Sequence, residues 1–260
     1  MHLIPFFKDK PLSNISTFDI ERYKKHRTEQ GNCTPATINR ELAVISHLYN
    51  KAVEWQWITL DKRPLIKKLK ENNARIVYLT SEQALNLLQV AKEYPHEYIY
   101  LFILIALNTG MRRSEILSIR IENIDTQKLS IYIPKAKAGA RVQPITPNLA
   151  DYLTEHLKQI PNEQTFLFTS DKTKTGYWLW PDKTFRNVVE QANLNSKEVT
   201  IHILRHTAIT HLVQGGIDLP TVQRVSGHKT LSMVARYSHQ NSDHIQTAMS
   251  ILENRYKKAD

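Results

Sequence analysis

Four residues near the C-terminal end of the chain have the types and spacing for phosphate chemistry. His202 and Arg205 stand three apart, His228 follows Gly227, and Tyr237 comes nine residues after His228. A phosphodiester is already an anion, and its transition state spreads further charge over the non-bridging oxygens. Arginine answers that charge with planar, paired donors that stay protonated. Two arginines from different segments would clamp both oxygens. Arg205 is one, and Arg112, in the turn after Asn108-Thr109-Gly110, is the second. A tyrosine hydroxyl can attack phosphorus, but with a free pKa near 10 it needs a base or a positive field. His202 stands where it could serve Tyr237 in that way. The departing oxygen needs a proton, which Lys137 in the Lys-Ala-Lys-Ala-Gly-Ala loop could deliver. Lys135, two residues earlier, is the alternative.

A metal site is the rival chemistry. His202 and His206 have the i, i+4 spacing of a zinc-binding helix. The residues between them are Ile203, Leu204 and Arg205, so the glutamate of a zinc protease is missing and a cation sits between the two imidazoles. That pattern disfavours a metal, and no cofactor is expected.

The elements that must position these side chains belong to a chain of 260 residues with 41% hydrophobic content, enough for one large or two smaller cores. Lys and Arg number 35 against 25 Asp and Glu, a net charge of +10 that favours a polyanionic partner, nucleic acid before membrane. Residues 1–72 carry 13 basic against 8 acidic groups, so positive charge is denser there than in the rest. The single cysteine, Cys33, excludes an internal disulfide and fits a reducing compartment. The N-terminus makes a poor signal peptide, and the most apolar run, Tyr98–Leu107, is too short to span a bilayer. A cytoplasmic protein is expected.

Residues 13–72 predict two helices and a linker. Thr17 is the expected N-cap of the first, and Gly31-Asn32 its stop. Thr34 with Pro35 starts the second, whose Ile38, Leu42, Ile45, Tyr49 and Val53 form one apolar stripe. Asp61–Arg75 reads as a linker. Beyond it, Thr80 and Gln83 form a capping box. Tyr98–Leu107, apolar all round, predicts a buried central helix. Ser114–Arg120 is a short helix. Leu129–Ile133 and Arg141–Ile145 predict a hairpin, and Pro147–Ile160 and Pro181–Asn193 predict helices. Phe166–Phe168 reads as a short buried piece, and Asp171–Trp180 as a loop. Three helices should follow, ending at Gly215-Gly216, ending at Gly227, and carrying Tyr237. The fold class is mainly α with a small antiparallel β-sheet (α+β).

These boxes, in this order, resemble the tyrosine recombinases, specifically the phage-type integrases. His202-Ile203-Leu204-Arg205 is similar to their His-x-x-Arg box. Gly227-His228 followed by Tyr237-Ser238-His239 resembles their second histidine and nucleophile. Asn108 to Glu115 resembles the first arginine box, and Lys137-Ala138-Gly139 the lysine turn. The resemblance implies a helical core-binding, DNA-binding domain with linker over residues 1–72 and a catalytic domain over 73–260. It implies that the core-binding domain lacks its first helix and that no arm-binding domain precedes it. It implies site-specific DNA strand exchange through a 3′-phosphotyrosyl link at Tyr237, with neither metal nor ATP. Arg112, Arg205 and His228 would hold the phosphate, Lys137 would be the general acid, His202 would assist proton transfer at the tyrosine, and Glu115 would support Arg112. The implied partners are double-stranded attachment sites, a homotetramer in the synapse with the C-terminal helix His244–Leu252 docked on a neighbour, and accessory DNA-bending proteins, in a bacterial or phage-encoded system. Ile203 departs from the acidic or amide residue common at its position, and Val234 from a frequent threonine. Two other functions compete: a type IB topoisomerase that relaxes DNA, and a non-catalytic regulator using Pro220–Ser226 and Leu231–Ser238 as a helix-turn-helix.

Overall fold

Ser16, rather than Thr17, opens the first long helix. With Asp19 three residues on it forms a capping box: the Asp19 N–H donates to the Ser16 hydroxyl, and the Ser16 N–H to the Asp19 carboxylate at 2.8 Å. Thr17 is the first helical residue, and its hydroxyl instead accepts a hydrogen bond from the Leu65 N–H at 2.9 Å. The architecture comes from a computed structural model, which describes residues 2–31, 33–71, 76–135, 139–238, 249–250 and 252–255. The chain divides into two units, Met1–Arg75 and Ile76–Asp260.

In the first unit, α1 (Leu3–Phe7), α2 (Thr17–Glu29) and α3 (Pro35–Glu54) build a small core of Ile20, Tyr23, Ile38, Leu42, Ile45 and Tyr49. Helix α1, which the sequence pattern did not suggest, sets Phe6 edge-on to Tyr23 at 5.1 Å, so the two longer helices do not form a bare pair. The described part of the expected linker packs against this unit. Asn39 bonds Leu69 at both its backbone groups, and the Lys24 ammonium donates to the Lys67 carbonyl. These polar side chains satisfy a backbone that has no helix or sheet of its own.

The second unit is laid out around one apolar helix. Its elements are α4 (Ser81–Glu93), α5 (Ile99–Thr109), α6 (Arg113–Leu117), β1 (Ile124–Asp125), β2 (Ser130–Ile133), β3 (Arg141–Pro144), α7 (Pro147–Leu157), α8 (Asp182–Gln191), α9 (Ile201–Gln214), α10 (Leu219–Ser226) and α11 (Leu231–Ala235). Helix α5 packs against α4, α7 and α9, as a helix apolar on all sides must. The Thr80–Gln83 capping box is present at α4. The strands form an antiparallel sheet in the order β1-β2-β3, with Ile131 facing both Ile124 and Gln143. Strand β1 is too short to show an alternating pattern. The Asp171–Trp180 loop folds back so that Trp178 meets Phe102 edge-on at 6.2 Å and lies on His96 at 4.6 Å. The expected fold class is borne out: mostly helix with a small antiparallel sheet. No helix among the described residues is long and apolar enough to cross a membrane. Most of His244–Leu252 lies outside the described residues.

Candidate active site

Three chain turns and one helix build the site. Helix α5 ends at Gly110, which sits in the left-handed region at φ 61°, with its N–H closing on the Ala106 carbonyl. A residue with a side chain is strained there, and the turn frees the Gly110 carbonyl for Arg205. Arg112 follows as the N-cap of α6. Its backbone N–H donates to the Glu115 carboxylate at 3.1 Å, and its Nη1 does so at 3.0 Å. The same carboxylate accepts a third bond, from Arg141 Nη2 at 3.0 Å. Glu115 is 4% exposed. Burial alone would raise its pKa, but the Arg112 N–H and the Arg141 charge outweigh burial and hold it below the usual carboxylate range.

Arg205 projects from the second turn of α9. Its Nη1 donates to the carbonyls of Gly110 at 2.6 Å and Ser226 at 2.7 Å, and its Nη2 lies 3.0 Å from His228 Nε2. Arg112 Nη2 donates to the Gly227 carbonyl at 2.9 Å. The two guanidiniums therefore grip the same turn, residues 226–228, which α10 delivers. Desolvation and the neighbouring Arg112 lower the Arg205 pKa to about 10, still cationic at neutral pH. Each guanidinium carries five N–H groups. Among the described residues Arg112 commits two side-chain bonds and Arg205 three, so both keep donors for an anion.

Hydrogen bonding sets the tautomer of His228. The Ser226 hydroxyl donates to the Val222 carbonyl at 2.6 Å, so its oxygen accepts from His228 Nδ1 at 2.8 Å. Nε2 then carries the lone pair that faces Arg205. Burial, Arg205 and Arg112 depress the His228 pKa to about 4, so the ring is neutral at pH 7. Gly227, at φ 64°, makes this close turn possible. A Cβ on it would lie 2.8 Å from Arg141 Nε.

Tyr237 follows α11 and is 1% exposed, packed with Ile209, Val213, Val222 and Val234. Val234 thus contributes to the apolar seat of the tyrosine ring, and Ile203, also a departure from the family pattern, is core. The Tyr237 hydroxyl lies 2.6 Å from His206 Nδ1. Burial raises its pKa, while Arg205 and Arg236 pull the other way. His202, one turn earlier on α9, is exposed, and the hydrogen bond to the tyrosine is made by His206. Helix α9 is itself anchored through Thr207, whose hydroxyl accepts from the Leu79 N–H, and His211, which bonds the Leu79 carbonyl. Lys137 lies outside the described residues. Lys135, two residues beyond β2, is exposed and lines an open groove of about 650 Å³ that reaches Glu115.

The structure thus gathers Arg112, Glu115, Arg205, His228 and Tyr237. It adds Arg141 and Ser226, which spacing did not single out, and His206, whose spacing pointed only to a metal. Two guanidiniums, Arg112 and Arg141, share the Glu115 carboxylate, and a third, Arg205, holds the adjoining turn, so the site beside the tyrosine is net positive.

The phage integrase family model matches residues 53–244, and the chain belongs to that family. Among curated relatives it is 29% identical to the shufflon-specific DNA recombinase of Escherichia coli, over 88% of this chain and 59% of the relative. It is 30% identical to tyrosine recombinase XerA of Pyrococcus furiosus, over 68% of this chain and 63% of the relative. The chain therefore spans about 59–63% of the length of these relatives. The XerH recombinase bound to a palindromic difH substrate, in a post-cleavage complex, superposes with a TM-score of 0.75 at 20% identity, covering 96% of this chain and 75% of that one. The Tn1549 transposon integrase in complex with transposon right-end DNA gives 0.73 at 19% identity, over 96% and 90%. At those identities the likeness establishes the fold.

Proposed function

We propose that this protein is a site-specific DNA recombinase that breaks and rejoins strands through a 3′-phosphotyrosyl link at Tyr237. The observation that carries it is the convergence of Arg112, Arg205 and His228 on one turn beside the Tyr237 hydroxyl. Arg112 and Arg205 would bind the non-bridging oxygens with their uncommitted N–H groups, and His228, whose Nε2 accepts from Arg205, would orient that guanidinium on the same side. The tyrosine oxygen forms a bond to phosphorus as the bond to the 5′-oxygen breaks. The leaving oxygen takes a proton from a general acid, Lys137 by resemblance. The 5′-hydroxyl of a partner strand reverses the step, so the bond energy stays in the covalent link and no ATP is needed. The resemblance gives His202 a part in proton transfer at the tyrosine.

Double-stranded attachment sites, a tetrameric synapse and accessory DNA-bending proteins complete the proposal. Relatives with recombinase and integrase names, and structural neighbours bound to DNA, support it. The test is a pool of random-sequence, singly nicked duplexes incubated with the chain in EDTA and run on a denaturing gel, with selected sites then paired on plasmids. The expected result is a covalent protein–DNA band, absent from Tyr237→Phe, and exchanged plasmid products. Supercoil relaxation without exchange would favour a topoisomerase. DNA binding with no covalent band in either protein would favour a regulator.

A further inference from the structure

Resting on that reading, we infer that His206 is a further catalytic residue: its Nδ1 holds the Tyr237 hydroxyl and receives the hydroxyl proton as the tyrosine oxygen bonds to phosphorus. The 2.6 Å contact places the imidazole on the reacting atom itself. His206 directly follows Arg205 on α9, so one turn of helix presents the guanidinium to the 226–228 turn and the imidazole to the tyrosine. The two rings lie tilted, with centroids 5.7 Å apart.

The direction of the hydrogen bond follows from the surroundings. Tyr237 is buried, and its O–H has no other partner among the described residues, so it donates to Nδ1. Nδ1 then carries a lone pair and Nε2 the proton. Burial favours the neutral ring, and the nearby cations Arg236 and Arg205, together with His202, act in the same direction; they lower the His206 pKa to about 4. His228, whose ring is 6.3 Å from that of Tyr237, is committed to Ser226 and Arg205, which leaves proton acceptance to His206. In the forward step the tyrosine oxygen–phosphorus bond forms, the bond to the 5′-oxygen breaks, the tyrosine proton moves to His206, and the general acid protonates the 5′-oxygen. In the reverse step His206 returns its proton to the tyrosine oxygen.

The test uses the full chain with nicked duplexes that the parent protein selects from a random-sequence pool by covalent trapping. Initial trapping rates are compared for the parent, His206→Ala and His206→Asn. Asparagine keeps a hydrogen-bonding group near Nδ1 but cannot carry the proton. Both variants should lose about 100-fold or more in rate, the scale of general-base catalysis. Duplex affinity and melting temperature should stay near parental in His206→Asn. A 3-fluorotyrosine at position 237, more acidic than tyrosine, should recover at least tenfold of the loss in His206→Asn while changing the parent little. His206→Ala within threefold of the parent would overturn the inference. So would His206→Asn at the parental rate, or a loss that the fluorinated tyrosine leaves untouched. A parent chain that traps no DNA in a Tyr237-dependent way would instead sink the strand-exchange reading, and the inference with it.

Discussion

Each unit of this chain buries an arginine–carboxylate network, and the two are built to different ends. In the first unit, Arg27 faces Glu41 one to one. Arg27 Nε and Nη2 reach the two Glu41 oxygens at 3.0 and 2.9 Å, and the Tyr23 hydroxyl donates to the same carboxylate at 2.7 Å. Burial alone would raise the Glu41 pKa, but Arg27 and Tyr23 bring it below the usual range. Tyr23 is pushed well up, chiefly by burial. Charge is balanced there, and the network closes on itself. In the second unit Arg112 and Arg141 share the single carboxylate of Glu115, and Arg205 leans on backbone carbonyls and His228. Charge is unbalanced there, and guanidinium donors remain. The first arrangement holds helices together. The second leaves guanidinium donors without a matching carboxylate among the described residues.

The difference can be broken from either side. Arg205→Ala should lower covalent trapping of DNA by about 1,000-fold, about 4 kcal/mol, because each charge-matched donor acts chiefly in the transition state. Single-turnover gels read this directly, and a loss under tenfold would mean that the surplus charge serves folding instead. Arg27→Ala should do the reverse. Leaving Glu41 buried without its partner should cost about 3 kcal/mol of stability in urea titration, while a balanced structural pair gives no reason for a direct effect on the chemical step. Gly227→Ala tests the seam between packing and chemistry. A side chain at φ 64° and 2.8 Å from Arg141 Nε should cost about 2 kcal/mol of stability and move the turn that both guanidiniums grip. A variant with parental melting and trapping would contradict the tight turn.

The smallest effect is one of pH. His206 and His228 have folded pKa values of about 4, below their ordinary 6.5, so the unfolded chain binds more protons between those values. Stability of the second unit should therefore fall as pH drops from 6.5 towards 4 and change little above 7 through these groups. In a His206→Gln, His228→Gln double variant, melting temperature against pH should flatten over that window. An unchanged slope would show that neither imidazole is held neutral by the fold.

Much of this organisation was readable in the residues. The all-round apolar run Tyr98–Leu107, the Thr80–Gln83 box and the cap at Thr34 are local signals, and local physics decides them. The spacing of Arg112, Arg205, His228 and Tyr237 was legible as well, because phosphate chemistry demands those types together. Three things needed the fold. In the sequence Arg141 reads only as the start of a strand. Yet β3 is inverted, with Val142 61% exposed while Gln143 is fully buried and Arg141 reaches the Glu115 carboxylate, which is the mark of a polar network beneath the sheet edge. Ser226 acts through a ring two residues away, and its role appears only once the turn closes. His206 and His202 lie on neighbouring turns of one helix. Spacing cannot say which of them meets a tyrosine that lies 31 residues beyond His206, and packing of the apolar seat around Tyr237 decides for His206. Helix α1 and the packing of residues 61–71 are illegible in the sequence for a simpler reason. Short elements held by tertiary contacts carry little periodicity of their own.

The most direct measurement is peptide mapping of the trapped protein–DNA adduct by mass spectrometry. The expected adduct is a nucleotide joined through its 3′-phosphate to Tyr237, with a free 5′-hydroxyl on the released strand. An adduct on any other residue, or cleaved DNA with no covalent protein, would contradict the account that Arg112, Arg205 and His228 are assembled around a phosphate attacked by Tyr237.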